Sequence, residues 1–277
     1  MNARLLVLLT LLPFSAQSAE TCRYKGVGDQ AGRLVVETQA ATANGETTLS
    51  VTAQVEGRYL GVFRFQFLHQ EINVWRDGEL RQIGIHHRYS VNGSVKRQQW
   101  DVFNRVPEGM QAWRAQAKTL SDLQAHHPGF VRYWPPESFG QPWLAAYGSA
   151  GAKRRADLDL PARAIPPGLG TPLAMGFYWI RWSVPDGRAA PLFLPGFKED
   201  PRLDVPISLA GTEPDGTRRI HITVRHPKLD PDRPSGGEAW VAPDRRLMRV
   251  AFEGFGRKGS MKGEARLEGC EGRPGTP

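Results

Sequence analysis

Seven histidines occur in the sequence, and imidazole is the side chain most often used to bind metal ions. Two adjacent pairs, His86-His87 and His126-His127, are the first candidates for such a site. Neighbouring residues of a strand point to opposite faces, so His86 and His87 are not expected to share one ion. His221 and His226, separated by an odd offset, face opposite ways for the same reason. No HExxH, HxH or Cys/His cluster is present, so the sequence predicts no metal site and solvated or capping roles for the histidine pairs.

Nucleophile and dinucleotide motifs are equally weak in this sequence. The segment Gly148-Ser149-Ala150-Gly151 lacks the G-x-S-x-G spacing of a nucleophile elbow, and no S-x-x-K motif is present. Residues Gly254 to Gly259 match G-x-G-x-x-G, but that fingerprint requires a following helix, whereas Met261–Leu267 has the pattern of a strand. We therefore interpret these glycines as a hairpin loop, and we predict no catalytic residue and no cofactor.

One group of carboxylates keeps an enzymatic alternative open. Glu199, Asp200 and Asp204 lie close in sequence to Phe197, and carboxylates beside aromatic rings are typical of glycosidases. Spacing in the sequence does not define the distance between two carboxylates, so a solvated acidic loop is the preferred interpretation.

The composition is that of an ordinary globular chain, with 277 residues of which 40% are hydrophobic and 23% charged. It excludes a disordered acidic chain and, with only two cysteines, a small disulfide-rich scaffold. Lysine and arginine number 36 against 28 acidic residues, a net charge of +8, but the basic residues are spread along the chain without interleaved aromatics. We expect no nucleic-acid partner and only a weak attraction to anionic surfaces.

The first eighteen residues have the three-part layout of a secretory signal peptide. A basic start precedes the apolar run Leu5–Phe14, and small residues follow, with Ala16 and Ser18 before the expected cleavage at Ala19. The apolar run has about half of the ~20 residues that a transmembrane helix needs, so no membrane anchor is expected. The sequence therefore predicts a signal peptide over 1–18, export to the periplasm and a mature chain of 19–277.

Cys22 opens the mature chain and Cys270 nearly closes it. An even number of cysteines in an oxidising compartment favours a disulfide, which would hold the two termini on adjacent strands. Two cysteines so placed do not suit a metal site, and no CxxC redox motif is present. We predict a Cys22–Cys270 disulfide, with two unconnected thiols as the alternative.

Between Thr21 and Val106 the sequence has no proline and has the pattern of one strand after another. Leu49–Val55 alternates apolar and polar residues, which is the period of a strand with one buried face. Asp77-Gly78 and Asn92-Gly93 are hairpin-turn dipeptides. Successive antiparallel hairpins are the economical arrangement, because parallel pairing needs long crossover connections.

Residues 107–170 form a proline-rich insert, with a short helix expected within Met110–Ala125. The aromatic residues of this insert are too numerous to leave in water, so we expect an ordered excursion from the sheet. The block 171–270 returns to strands, which we predict over Ala174–Trp182, Leu203–Ala210, Arg218–Arg225, Glu238–Ala242, Arg246–Glu253 and Ser260–Leu267. Together with the strand block 22–106, this predicts an all-β, mainly antiparallel fold, as a single domain with one large curved, half-barrel-like sheet.

Short patterns in this chain resemble exported proteobacterial families that are catalogued only as domains of unknown function. The segment Gly170–Arg181, followed by Phe193-Leu194-Pro195 and by the hairpin Trp240–Asp244, is similar to a recurring stretch of one such family. The segment Arg132–Pro136 resembles a related family, whose Tyr-Trp-Asn-Pro motif has Asn at the position of Pro135. The resemblance covers about residues 45–268 and implies a periplasmic strand-rich protein with a long curved antiparallel sheet. It implies no active-site residue.

The aromatic residues suggest where a ligand would bind. Of the eight tryptophans, four lie between residues 130 and 182, and Phe177–Ile180 is apolar on both faces of the predicted strand. One face would meet the core and the other a groove covered by the insert. For this aromatic groove we predict the ligand contacts Trp134, Trp143, Tyr178, Trp179 and Trp182. Packing without a ligand is the alternative, because a wrapped sheet must cover both of its faces.

Two functions remain open at this point. The leading hypothesis is a non-enzymatic periplasmic protein that binds a hydrophobic or lipid-like ligand, or an envelope protein partner. The alternative is a protein that binds or cleaves envelope polysaccharide, with the same aromatic rings stacking on sugars. Two carboxylates converging beside the rings would favour the enzyme, whereas an apolar interior without carboxylates would favour the lipid-like ligand.

Overall fold

The computed structural model describes residues 18–28, 33–43, 45–59, 62–117, 153–161, 171–183, 186–193, 202–224, 235–255 and 261–272. Almost all of these residues lie in strands, most of them long and all of them members of one sheet. The strands are β1 (Ser18–Gly28), β2 (Arg33–Ala43), β3 (Glu46–Tyr59), β4 (Phe63–Arg76), β5 (Glu79–Val91), β6 (Ser94–Val106), β7 (Gly109–Ala117), β8 (Lys153–Arg154), β9 (Leu160–Pro161), β10 (Asp186–Phe193), β11 (Arg202–Thr212), β12 (Arg218–Val224), β13 (Ser235–Val241), β14 (Leu247–Phe255) and β15 (Met261–Gly272).

The sheet is an antiparallel meander that is continuous through the two ends of the chain. Its order runs from β10 through β15, then to β1 and on to β8, and β9 pairs with β7. Every pair of neighbouring strands is antiparallel. In the described ranges β8 and β10 form the two ends of this path and do not pair with each other. The predicted all-β fold with one large antiparallel sheet is confirmed.

The predicted turns between β4 and β5 and between β5 and β6 are present, and their backbone explains the residue types. Asp77 and Gly78 have φ angles of 54° and 76°, and Asn92 and Gly93 have φ angles of 48° and 79°. A positive φ at both central residues is typical of a type I′ turn, whose twist matches that of the flanking strands. The side chain of Asn92 also accepts a hydrogen bond from the backbone N–H of Arg64 at 2.8 Å.

The first and last strands form the seam of the sheet. Cys22 on β1 and Cys270 on β15 stand opposite each other in the register and are joined by a disulfide. The predicted disulfide, and the placement of the two termini on adjacent strands, are confirmed.

A short helix, α1 (Pro172–Phe177), and a 3₁₀ turn over Trp179–Arg181 lie against one face of the sheet, called the inner face below. Helix α1 contacts β3 and β4 on one side and β10 and β14 on the other, so the sheet curves around it. The predicted strand Ala174–Trp182 is therefore wrong. The segment is apolar on all sides, a pattern that fits a buried helix as well as a strand. Pro172 in the first helical turn favours the helix.

The helix predicted within Met110–Ala125 is also wrong for the part that the structure describes. Residues 109–117 form β7, which pairs with β6 so that Ala112 stands opposite Phe103. Both side chains are fully buried. Pairing with an existing strand and burial of alternate residues override the weak local preference for helix.

The inner face carries the main core. Leu49, Asn73, Ile83 and Phe103 lie side by side on β3 to β6, and none of them is exposed to solvent. On the opposite, outer face of the same strands residues such as Trp100 are buried as well. The central part of these strands is therefore buried on both faces, and polar side chains such as Asn73 lie within it.

Candidate functional site

An apolar pocket of about 270 Å³ lies between α1 and the inner face of four neighbouring strands. Helix residues form one wall, and residues of β11 to β14 form the other. Within the part of the chain that the structure describes, no carboxylate and no other charged side chain is among the lining residues. They are Pro172, Leu173, Met175, Gly176, Phe177, Val205, Ile222, Val224, Gly236, Gly237, Val250, Ala251 and Phe252.

The residues of the strand wall come from alternate positions, because every second residue of a β-strand points to the same face. Ile222 and Val224 are two residues apart on β12, and Val250 and Phe252 are two apart on β14, so each pair projects toward the same face. Between them runs β13, where a Cβ atom on Gly237 would overlap the backbone carbonyl oxygen of Ala251. The alternation of apolar residues thus lines the pocket, and glycine lets the backbones pack closely beside it.

The helix wall has a gap at Gly176. A Cβ atom added at this position would meet no atom within 4 Å, although the residue is in the middle of α1 and lines the pocket. Glycine is a poor helix former, by about 1 kcal/mol relative to alanine. A residue that is unfavourable for the helix therefore enlarges the pocket at this point.

Helix α1 is held over the pocket by buried polar residues of β4. The Glu71 carboxylate accepts hydrogen bonds from the backbone N–H groups of Leu173 and Ala174, at 2.8 and 3.2 Å. The Asn73 side-chain amide donates to the hydroxyl of Thr171 at 2.8 Å. The two bonds to Glu71 satisfy N–H groups of the first helical turn that have no partner within the helix. Together with the bond from Asn73 to Thr171, they fix where the helix begins.

A second anchor holds the 3₁₀ turn that follows. Arg181 donates through two nitrogens to the carboxylate of Glu20 on β1, at 2.5 and 3.0 Å, and through Nε to the carbonyl oxygen of Arg245 at 2.6 Å. Two tyrosines, Tyr24 and Tyr178, lie beside this pair, and burial raises the pKa of Tyr178 to about 12 and raises that of Tyr24 further. Both phenols are therefore neutral at physiological pH.

Three of the five aromatic residues predicted to contact a ligand lie together in and beside this turn. Tyr178 is buried in the core, Trp179 packs edge-to-face on Trp75 with ring centroids 5.0 Å apart, and the guanidinium of Arg245 lies over Trp182 at 4.8 Å. None of the three lines the apolar pocket.

Trp134 and Trp143 lie outside the described residues, so the aromatic groove stays a prediction. One feature of the tryptophans on the turn suits ligand binding. The buried indole N–H groups of Trp179 and Trp182 have no acceptor in the described part of the chain. An acceptor atom of a ligand would satisfy them.

A polar cluster on β4 and β5 was not predicted. His69 and His87 stand opposite each other in the register, and their Nδ1 atoms are 2.9 Å apart. The Nε2 atom of His69 is 2.7 Å from Oε1 of Glu71, whose other oxygen binds the N-terminus of α1. Phe67 lies beside both imidazole rings. The cluster thus connects the helix to a partly exposed region of the inner face.

The adjacent pair His86-His87 behaves as its strand position predicts, with the two rings on opposite faces. His86 stacks on Trp100 on the outer face, with centroids 4.6 Å apart. Burial lowers the pKa of His86 to about 3, and burial together with the neighbouring His69 lowers that of His87 to about 4. The prediction that these residues are solvated or capping is wrong, because both rings have side-chain partners within the sheet.

Most of the remaining candidates from the sequence lie outside the part of the chain that the structure describes. His126-His127, His226, Glu199 and Asp200 lie outside the described residues. Within the described ranges one group of three metal-type ligands is found, Glu20 with Cys22 and Cys270. Its sulfur atoms are in the disulfide and its carboxylate is paired with Arg181, so its ligand atoms are already used.

Comparison with known proteins supports the fold. No protein-family model and no curated protein matches the chain. The structure is similar to a crystal structure described as a beta-barrel-like protein of domain of unknown function DUF1849 from Brucella abortus. The TM-score is 0.55 at 8% sequence identity, over 93% of this chain and 98% of that one. At this identity the likeness shows the fold alone, and it is consistent with the resemblance to proteobacterial domains of unknown function.

The described part of the chain has no helix that is both long and apolar enough to cross a bilayer.

Proposed function

We propose that this chain is an exported, non-enzymatic protein that binds a hydrophobic, lipid-like ligand in the pocket under α1. The observation that carries the proposal is the lining of that pocket, which is apolar on both the helix wall and the strand wall. Ligand sites in proteins are concave and mainly apolar, with volumes of about 300–1,000 Å³. A pocket of about 270 Å³ lies just below this range and suits a small hydrophobic molecule or part of an acyl chain.

The free energy of binding would come from removing apolar surface from water, at about 25 cal/mol per Å². Val224 and Val250 are already largely buried without a ligand, whereas Leu173, Ile222 and Phe252 remain partly exposed. Covering these three side chains is what a ligand would add. The polysaccharide alternative requires converging carboxylates or open tryptophan faces, and neither is found among the described residues of the pocket lining.

A direct test is native mass spectrometry of the mature protein purified from a periplasmic extract, followed by solvent extraction. We expect a discrete excess mass that extracts as a hydrophobic molecule. The same spectrum locates the mature N-terminus, which we propose to be Ala19. A mass without excess, together with no binding of a neutral fluorescent probe such as N-phenylnaphthylamine, would contradict the proposal.

Whether the ligand binds in this pocket is tested by a substitution whose side chain occupies it. In the Gly176→Leu variant the new Cβ atom meets no atom within 4 Å and leucine replaces glycine inside a helix, so folding should be retained or improved. We expect probe affinity to fall at least about tenfold, since each 1.4 kcal/mol of lost binding energy is tenfold. Gly211→Leu on β11 is the matched control, because a Cβ there also meets no atom within 4 Å and the residue does not line the pocket. Equal probe affinity in the two variants would place the site elsewhere.

A further inference from the structure

His69 and His87 carry the strongest feature of the molecule that the ligand pocket does not use. They face each other across β4 and β5 with their Nδ1 atoms 2.9 Å apart, and the ring centroids are 4.4 Å apart. From this geometry we infer a binding site for one borderline divalent metal ion, Cu²⁺ or Zn²⁺, between the two Nδ1 atoms.

Hydrogen bonding assigns the ring nitrogens. The Nε2 atom of His69 is 2.7 Å from the Glu71 carboxylate, and in the tautomer whose ring proton on Nε2 is donated to that carboxylate, Nδ1 of His69 holds a lone pair. That lone pair is directed at Nδ1 of His87. Two nitrogen lone pairs would repel each other at this distance. Either the Nδ1 proton of His87 or a metal ion bound by both nitrogens must therefore lie between them.

The surroundings of His69 are those of a metal ligand. Histidine ligands commonly donate their other ring N–H to a carboxylate, which fixes the tautomer and the ring orientation. Glu71 fills this role and is itself fixed by two backbone N–H groups of α1. Its side chain is only 1% exposed, so its position is determined by packing rather than by solvent.

The distances require only a small adjustment. With metal–nitrogen bonds of about 2.0–2.1 Å, the two Nδ1 atoms must be about 3.3 Å apart in the tetrahedral geometry of Zn²⁺ and about 2.9 Å apart as neighbouring ligands in the square-planar geometry of Cu²⁺. The observed separation is 2.9 Å, and the side chain of His69 is 19% exposed. Two imidazoles are suited to Cu²⁺ and Zn²⁺ and not to Ca²⁺ or Mg²⁺, which take oxygen ligands.

The remaining coordination positions would be filled by water, because the nearby carboxylate of Asp101 is already paired. Arg114 donates to both of its oxygens, and Gln99 donates to one of them at 2.7 Å. The site would thus have two protein ligands and open positions on the inner face, beside the partly exposed ring of Phe67.

The test is titration of the tag-free, disulfide-bonded protein with Cu²⁺ alone, followed by calorimetry and electron paramagnetic resonance. We expect one bound equivalent whose spectrum shows hyperfine coupling to two imidazole nitrogens. His69→Ala and His87→Ala should each lose this signal, whereas His221→Ala, which removes an exposed strand histidine, should keep it. Glu71→Gln keeps both ligands and should weaken binding about tenfold to a hundredfold.

Thermal unfolding of each variant, followed by circular dichroism, controls for folding. If an alanine variant fails to fold, His87→Gln replaces it, because glutamine retains a polar side chain. Binding that is unchanged in the His69 and His87 variants, or the absence of a stoichiometric site in the wild type, would overturn the inference. Equal binding of Ca²⁺ would do the same.

Discussion

Glu20 and Arg181 form a bidentate ion pair in the core, although 161 residues separate them in the sequence. Their side chains are 2% and 0% exposed. The pair links the first strand of the sheet to the turn that follows α1, and Arg181 also binds the carbonyl of Arg245 in the β13–β14 turn. The position of the helix over the pocket therefore depends on a buried charge contact as well as on apolar packing.

Removing one partner of this pair should be strongly destabilising, because the other charge is left buried and unpaired. We expect Arg181→Met to lower the free energy of unfolding by about 3–5 kcal/mol, measured by urea denaturation. The double variant Glu20→Leu/Arg181→Met removes both charges and should recover most of that loss. A double variant no more stable than Arg181→Met would show that the charges themselves are not the cause.

The two tyrosines beside the ion pair predict a loss of stability in alkali. Burial raises the pKa of Tyr178 to about 12 and raises that of Tyr24, whereas an unfolded tyrosine ionises near pH 10. Because the pKa is higher in the folded state, each neutral tyrosine makes its full contribution to the free energy of unfolding below pH 10. That contribution is lost as the pH rises from 10 toward the pKa of the folded state. The free energy of unfolding should fall by up to about 1.4 kcal/mol per pH unit for each tyrosine above pH 10.

This pH dependence can be assigned by substitution. Tyr178→Phe removes one ionising group, so the slope of unfolding free energy against pH between 10 and 12 should become smaller. Absorbance at 295 nm should show one fewer phenolate forming near pH 12. A slope that is the same in the variant would mean that Tyr178 ionises without unfolding the surrounding core.

Local turn chemistry was predictable from the sequence, whereas the polar cluster was not. Asn92-Gly93 specifies its turn through backbone preferences that neighbouring residues do not change. The contact of His69 with His87 depends instead on the register of β4 and β5, which shifts by one residue between Val74 and Trp75. If the register that pairs Arg76 with Glu79 continued along both strands without that shift, His69 would stand opposite His86. Nothing in the sequence marks the shift.

The helix α1 was missed for a different reason. A segment that is apolar on all sides is equally compatible with a strand and with a helix buried on all sides, so periodicity carries no information there. What decides between them is the position of Glu71 and Asn73, about one hundred residues earlier in the chain, which bind the first helical turn. The pocket depends on α1 and could not be predicted without it.

The disulfide closes the seam between β1 and β15, and its loss should cost stability without changing the fold. We expect the Cys22→Ser/Cys270→Ser variant to lose about 2–5 kcal/mol in urea denaturation. The wild-type protein should be about 2 Da lighter than its dithiol form by intact mass spectrometry. Equal stability of the wild type and the double variant would show that strand pairing alone holds this seam.

The same seam contains two glycines, of which only one should be destabilised by an added methyl group. A Cβ atom on Gly26 of β1 would overlap the backbone carbonyl oxygen of Glu264 on β15. This oxygen cannot move aside without breaking the pairing of the two strands. A Cβ atom on Gly269 of β15 would meet nothing within 4 Å. We expect Gly26→Ala to lower the free energy of unfolding by at least about 2 kcal/mol and Gly269→Ala to change it by less than about 0.5 kcal/mol. Both are measured by urea denaturation with the disulfide intact, and similar stabilities of the two variants would contradict the close approach of β1 and β15 at Gly26.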